Sequence, residues 1–238
     1  TLNAFLIQYK DKEKHDIKML LILGIFKYLK TSTMKKLLLV LLFVPLVSFG
    51  QSESVYYTSG ASKYESKDYY GAIADYTKAI ELNPNNPKTS VAYLKRGDAK
   101  YRLKDFDGAI ADHTKAIELN PNNPKTSAAY LNRGDAKYRL KDFDGAMADY
   151  SKAIKFDPDY SLAYSNRGNI KSVLGDEYGA IADYNKAIEL DPIYANAYHN
   201  RGISKENIGD LNGACLDWKK AISFGNSNSA EWVTNQCN

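Results

Sequence analysis

The sequence predicts an all-α protein built as a stack of about five helical hairpins. Three observations lead there. A ten-residue string, Gly-Ala-Ile-Ala-Asp-Tyr-x-Lys-Ala-Ile, recurs in close variants at 71–80, 108–117, 145–154 and 179–188, and more weakly at 213–222. Apolar residues inside the string keep helical spacing, as at Ala109, Ala116 and Ile117. Asn-Pro or Asp-Pro closes the first four units at Pro84, Pro121, Pro158 and Pro192, where a helix cannot continue. A unit of this kind cannot bury its apolar face alone, so stacked neighbours must share one core.

From the start of the chain, residues 1–33 fit neither a targeting signal nor the repeats. They are read as an upstream non-native or mis-started segment, with Met34 as the true start. Residues 34–50 read as a signal peptide. Met34-Lys35-Lys36 supplies the basic end, Leu37 to Val47 the apolar run, and Ser48 and Gly50 the small residues ahead of a cleavage point. The apolar run is too short for a comfortable membrane span, and no cysteine follows it to carry a lipid. The mature chain is therefore expected to be exported, periplasmic or extracellular, with no membrane insertion after signal cleavage.

The leader also explains the charge. The whole chain of 238 residues carries a formal +4, but residues 1–50 hold eight lysines and three acids, so the remainder carries −1. Nothing in that balance forms an electrostatic footprint for nucleic acid. Nineteen tyrosines against eight phenylalanines and two tryptophans suit a structure with many half-buried positions.

The repeats occupy 53–228, divided as 53–86, 90–123, 127–160, 161–194 and 195–228. The second and third are close copies. Asn83–Leu119 and Asn120–Phe156 differ only at Val91/Ala128, Lys95/Asn132, Ile110/Met147, His113/Tyr150, Thr114/Ser151, Glu118/Lys155 and Leu119/Phe156. Each unit holds a first helical pattern, as around Tyr93–Tyr101, and a second over the recurring string. A Lys-Asp or Gly-Asp pair lies between them (Lys104-Asp105, Gly175-Asp176, Gly209-Asp210), and the Asp can cap the second helix. Units one and two carry three extra linker residues, Pro87-Lys88-Thr89 and Pro124-Lys125-Thr126, expected to lengthen a loop without disturbing the stack.

Set out in phase, the units resemble the tetratricopeptide repeat (TPR). Position 4 is Tyr56, Tyr93, Tyr130, Tyr164 and Tyr198; position 8 is Gly60, Gly97, Gly134, Gly168 and Gly202. Position 24 is Tyr76, His113, Tyr150, Tyr184 and Trp218, and position 27 is always Ala, as at Ala79 and Ala116. The resemblance is to exported bacterial TPR proteins, covers nearly all of the mature chain, and implies a right-handed α-solenoid superhelix with a C-terminal cap at 229–238. The unit departs from the family at position 15, where Lys67, Lys104 and Lys141 replace the usual Gly. A left-handed lysine costs about 1 kcal/mol, so a different turn is expected there.

Arg at position 7 (Arg96, Arg133, Arg167, Arg201) and Asp at position 23 (Asp75, Asp112, Asp149, Asp183) read as a structural ion-pair ladder, because an arginine beside core positions needs a partner. Pairing with the next unit would account for Ser59 in place of Arg in unit one; pairing within a unit is the alternative and would leave Asp75 single. Cys215 and Cys237 are the only cysteines, and an even count in an exported chain points to a disulfide that ties on the tail. His113 and His199 have no metal-ligand spacing, and no nucleophile–base constellation, phosphate loop, cofactor motif or metal site is present. An enzyme is therefore not expected.

In the TPR family the first helices line a concave groove, so the resemblance implies a non-enzymatic scaffold for an unidentified protein or peptide. Carried over by position, that groove holds Tyr64, Lys95, Tyr101, Arg102, Asn132, Tyr138, Arg139, Asn166, Asn169, His199 and Asn200, with Asp98 and Asp135 among them. The lysines of the family's carboxylate clamp are absent. The rival expectation is an assembly or spacer module of an envelope complex, engaged through its convex face.

Overall fold

The computed structural model describes residues 52–121 and 126–237. The signal peptide expected at 34–50, the segment 1–33, Pro124, Lys125 and Asn238 lie outside the described residues. Among the described residues there are eleven α-helices and no strand. They are α1 Glu53–Glu65, α2 Tyr69–Leu82, α3 Ser90–Arg102, α4 Phe106–Leu119, α5 Thr126–Arg139, α6 Phe143–Phe156, α7 Ser161–Val173, α8 Glu177–Leu190, α9 Ala195–Asn207, α10 Leu211–Ser223 and α11 Ser229–Gln236. Consecutive helices pack as antiparallel pairs, and each second helix packs on the next first helix, so the described hairpins form one continuous stack. The extra residues Pro87–Thr89 form one 3₁₀ turn at the entry to α3.

The core follows from residue size. The Ala at positions 20 and 27 are all but fully buried, as at Ala72, Ala79, Ala146 and Ala153, and beside them Tyr76, Tyr150, Tyr184 and Trp218 are at most 2 % exposed. The glycine at position 8 exists for this ring. A Cβ on Gly134 would stand 2.7 Å from the Tyr150 ring, and one on Gly60 2.9 Å from Tyr76. Large flat rings on one helix and missing side chains on the other let the pair close tightly.

Each second helix starts at an aspartate. Asp68, Asp105, Asp142, Asp176 and Asp210 accept a hydrogen bond from the backbone N–H three residues on, at 2.9–3.0 Å. The turn before that cap corrects one expectation. Lys67, Lys104 and Lys141 have φ of 66°, 64° and 63°, while Gly175 and Gly209 in the later units have 85° and 86°. The turn is thus the same left-handed one in every unit. Its frame is overdetermined: the Asp105 N–H bonds Lys100 O at 3.0 Å, a six-to-one closure repeated at Asp68, Asp142, Asp176 and Asp210. Lysine takes the conformation that this closure and the cap impose.

Candidate functional site

Two polar ladders run through the stack. In the first, every aspartate at position 23 pairs within its own unit. Arg96 grips Asp112 with two bonds of 2.8 and 2.7 Å, and Arg133–Asp149, Arg167–Asp183 and Arg201–Asp217 repeat the geometry. A lysine four residues after each arginine closes on the same carboxylate, at 2.8 Å for Lys100, Lys137, Lys171 and Lys205. Position 11 is therefore part of the ladder, and its signal was the recurring lysine one helical turn from each arginine.

The arginine's remaining Nη1 reaches the unit in front, to Thr77, Thr114, Ser151 and Asn185 at 2.6–3.2 Å. Each guanidinium also lies 5.3–5.6 Å from the tyrosine ring at position 4. In the first unit, Asp75 takes Lys63 at 2.7 Å and Ser59 Oγ at 2.6 Å instead. Buried and multiply bonded, these charges are occupied by structure.

The second ladder joins first helices of neighbouring units. Asn132 Nδ2 donates to Asp98 at 2.8 Å, Asn166 to Asp135 at 2.9 Å and Asn200 to Asn169 at 2.8 Å. The same acceptors take the core tyrosines of their own units, Tyr150 OH to Asp135 at 2.7 Å and Tyr184 OH to Asn169 at 2.8 Å. Of the expected groove amides, then, Asn132, Asn166 and Asn200 each donate one bond to the unit in front, and Asn169 accepts two.

The two carboxylates in this ladder differ. Lys95 lies 3.4 Å from Asp98. Among the described residues no cation lies within ion-pair distance of Asp135. Burial pushes both carboxyls above their usual range; Lys95 opposes it at Asp98, whereas only the Tyr150 and Asn166 hydrogen bonds oppose it at Asp135.

Tyr64, Tyr101 and Tyr138 stack at equivalent places. Each rests on the aromatic that opens its own second helix, at 5.4 Å for Tyr69, 5.4 Å for Phe106 and 5.7 Å for Phe143. Each keeps part of its surface open; Tyr138 is 37 % exposed. The arginines reach back one unit: Arg102 Nε donates to Tyr64 OH at 3.3 Å, and Arg139 lies over the Phe106 ring at 5.5 Å. Between the first helices of units two, three and four lies an open recess of about 200 Å³, lined by Tyr101, Asp135, Tyr138, Arg139, Tyr150, Asn166 and Asn169.

The two described histidines, His113 and His199, both sit against other parts of the stack. His113 is fully buried, and neither ring nitrogen has a hydrogen-bond partner. Its Nε2 stands 3.8 Å from Asp98 Oδ1, too far for a bond that the longer Tyr150 makes in the next unit. Burial lowers the His113 pKa to about 4. His199 was expected in the groove, but the tail engages it: Nδ1 meets Ser229 Oγ at 2.8 Å and Trp232 stands edge-on at 6.2 Å. Trp232 also packs on Trp218 at 5.1 Å, and Cys215 and Cys237 are disulfide-bonded.

Comparison with known proteins agrees with this architecture. Residues 53–86 and 90–123 each match the family described as the tetratricopeptide repeat, and 134–175 and 174–209 match a TPR repeat family. Among solved structures, MamA is 26% identical over 72% of this chain and 96% of its own, with a TM-score of 0.62. MamA from Desulfovibrio magneticus RS-1 is 18% identical over 75% of this chain and 97% of its own, with a TM-score of 0.65. YrrB, described as a TPR protein with an unusual peptide-binding site, is 18% identical over 81% of this chain and 97% of its own, with a TM-score of 0.63. The two at 18% share the fold. No curated protein sequence matches significantly. With family matches reaching from 53 to 209 and the same hairpin continuing through α9 and α10, the chain belongs to the tetratricopeptide-repeat family.

Proposed function

We propose that the chain is a non-enzymatic scaffold that holds a protein segment against the face formed by its first helices, in the periplasm or outside the cell. The observation that carries this reading is the recess between units two and four. It combines half-open tyrosine rings with hydrogen-bonding groups, and aromatic side chains are enriched where binding energy concentrates. The arginine, lysine and aspartate charges of the first ladder are held in ion pairs within each unit, whereas the recess keeps tyrosine rings and polar atoms reachable together. The extracytoplasmic placement is supported by the leader sequence at 34–50 and by the Cys215–Cys237 disulfide, a bond that persists in oxidising compartments.

The experiment is affinity capture from cell-envelope extract with the wild-type chain, with Tyr101→Ala/Tyr138→Ala, and with Tyr70→Ser/Tyr178→Ser. The last pair lies on second helices and is 77% and 75% exposed. The groove reading expects the captured protein to lose about tenfold or more in affinity for the first variant alone, with a melting temperature only a few degrees lower. Loss of capture by the second variant alone would instead favour the convex-face assembly module. A large drop in melting temperature with unchanged affinity per folded molecule would return Tyr101 and Tyr138 to a packing role.

A further inference from the structure

The near-identity of the second and third units provides an internal control. Two of their seven differences fall around one carboxylate, Asp98 in the second unit and Asp135 in the third. In the second unit Lys95 stands beside it; in the third that lysine is Asn132. In the second unit the core ring is His113, which falls short; in the third it is Tyr150, which reaches. The third unit has thus kept the carboxylate, gained its neutral donor and lost its cation.

The fourth unit provides the second control. Asn169 stands where Asp135 stands, and it accepts the same two bonds, from Tyr184 OH and Asn200 Nδ2, both at 2.8 Å. A neutral amide therefore does the whole structural task of this position. The ladder does not require the charge on Asp135: only its Oδ1 is bonded, to Tyr150 and Asn166, the two bonds an amide accepts in the fourth unit. A half-buried, uncompensated carboxylate costs free energy, yet this one lines the recess, beside Tyr101 and Tyr138. Arg139, the other charged lining residue, lies over the Phe106 ring rather than against the carboxylate.

We propose that Asp135, flanked by Tyr101 and Tyr138, is the subsite of this face for one basic side chain, a lysine or arginine of the bound segment. The carboxylate supplies the countercharge and the tyrosine rings supply cation–π faces and cover the methylene stem. The inference rests on the groove reading above and narrows it to a segment with a cation at one register position.

The test selects binders from a displayed library of random twelve-residue peptides on the full chain. Selected peptides are sorted by whether Tyr101→Ala/Tyr138→Ala abolishes their binding. Those that depend on the tyrosines are expected to share a Lys or Arg at one fixed position. Changing that residue to norleucine or citrulline in the synthetic peptide should weaken binding about tenfold, and the same change should have little effect on binding to Asp135→Asn. Asp135→Asn itself should melt at or above the wild-type temperature, as the Asn169 precedent implies. The peptide substitution needs no protein variant, so it reads out even if Asp135→Asn misfolds. Tyrosine-dependent binders with no basic residue at a shared position, or bound equally after its removal, overturn the subsite and leave the groove reading standing. A library that yields no tyrosine-dependent binder overturns both.

Discussion

His113 and Tyr150 occupy the same place in nearly identical surroundings, and only one of them finishes a hydrogen bond. A tyrosine carries its hydroxyl beyond the ring and reaches Asp135; an imidazole in the same slot leaves two buried nitrogens unpaired. His113→Tyr is expected to stabilise the chain by about 1–2 kcal/mol at neutral pH in urea unfolding, by supplying that bond to Asp98. The sign of the pH effect follows from the lowered pKa. Unfolded histidine binds its proton near 6.5, the folded ring only near 4, so the unfolded state gains a proton first and stability falls as pH drops through that window. The wild type should lose about 2 kcal/mol more than the variant between pH 7 and pH 5; parallel curves would show that His113 is not held neutral. The position of His113 was readable from the repeat phase alone, because it stands in a column of aromatics. Its missing partner was not, because that depends on reach: His113 Nε2 stops 3.8 Å from Asp98, whereas Tyr150 OH comes to 2.7 Å from Asp135. The same limit applies to Asn132, Asn166 and Asn200, whose periodicity placed them on one face without revealing that the unit in front takes a bond from each.

At the scale of the hairpin, the sequence spoke through its ends. An aspartate before each recurring string and a proline after the first four units bound the second helices to within a residue or two, since capping and helix breaking are local events. The turn at Lys67, Lys104 and Lys141 was not legible because lysine's own preference points elsewhere; the six-to-one bond and the capping aspartate overrule it. That strain is removable. Lys104→Gly should raise stability by up to ~1 kcal/mol, the left-handed penalty less the entropy that glycine adds to the unfolded chain. The reverse change, Gly175→Lys, should cost a similar amount. Urea midpoints of the two variants check both, and a destabilised Lys104→Gly would mean that the lysine side chain makes up for its backbone.

For the whole molecule, the ends differ from the middle. At the back, α11 covers the last hairpin: Trp232 packs on Trp218, Ser229 meets His199, and the disulfide closes over a separation of 22 residues. In the chain-entropy picture a loop of that length contributes about 3 kcal/mol. Cys215→Ala/Cys237→Ala should therefore lower the urea midpoint, and hydrogen exchange should rise first in α11 and α10, because each repeat of a solenoid leans only on its neighbours. Uniform loss across all hairpins would show instead that the stack unfolds as one unit. At the front, Ser59 replaces the arginine that every later unit sends forward to a hydroxyl or amide. That forward donor gives the stack a rule for growth. A hairpin copied in front of α1 would offer its threonine to a serine that cannot reach back, and one copied behind α10 would displace the tryptophan lid. A hairpin copied after the second finds an arginine behind it and a threonine before it, and the chain's two near-duplicates meet at that junction.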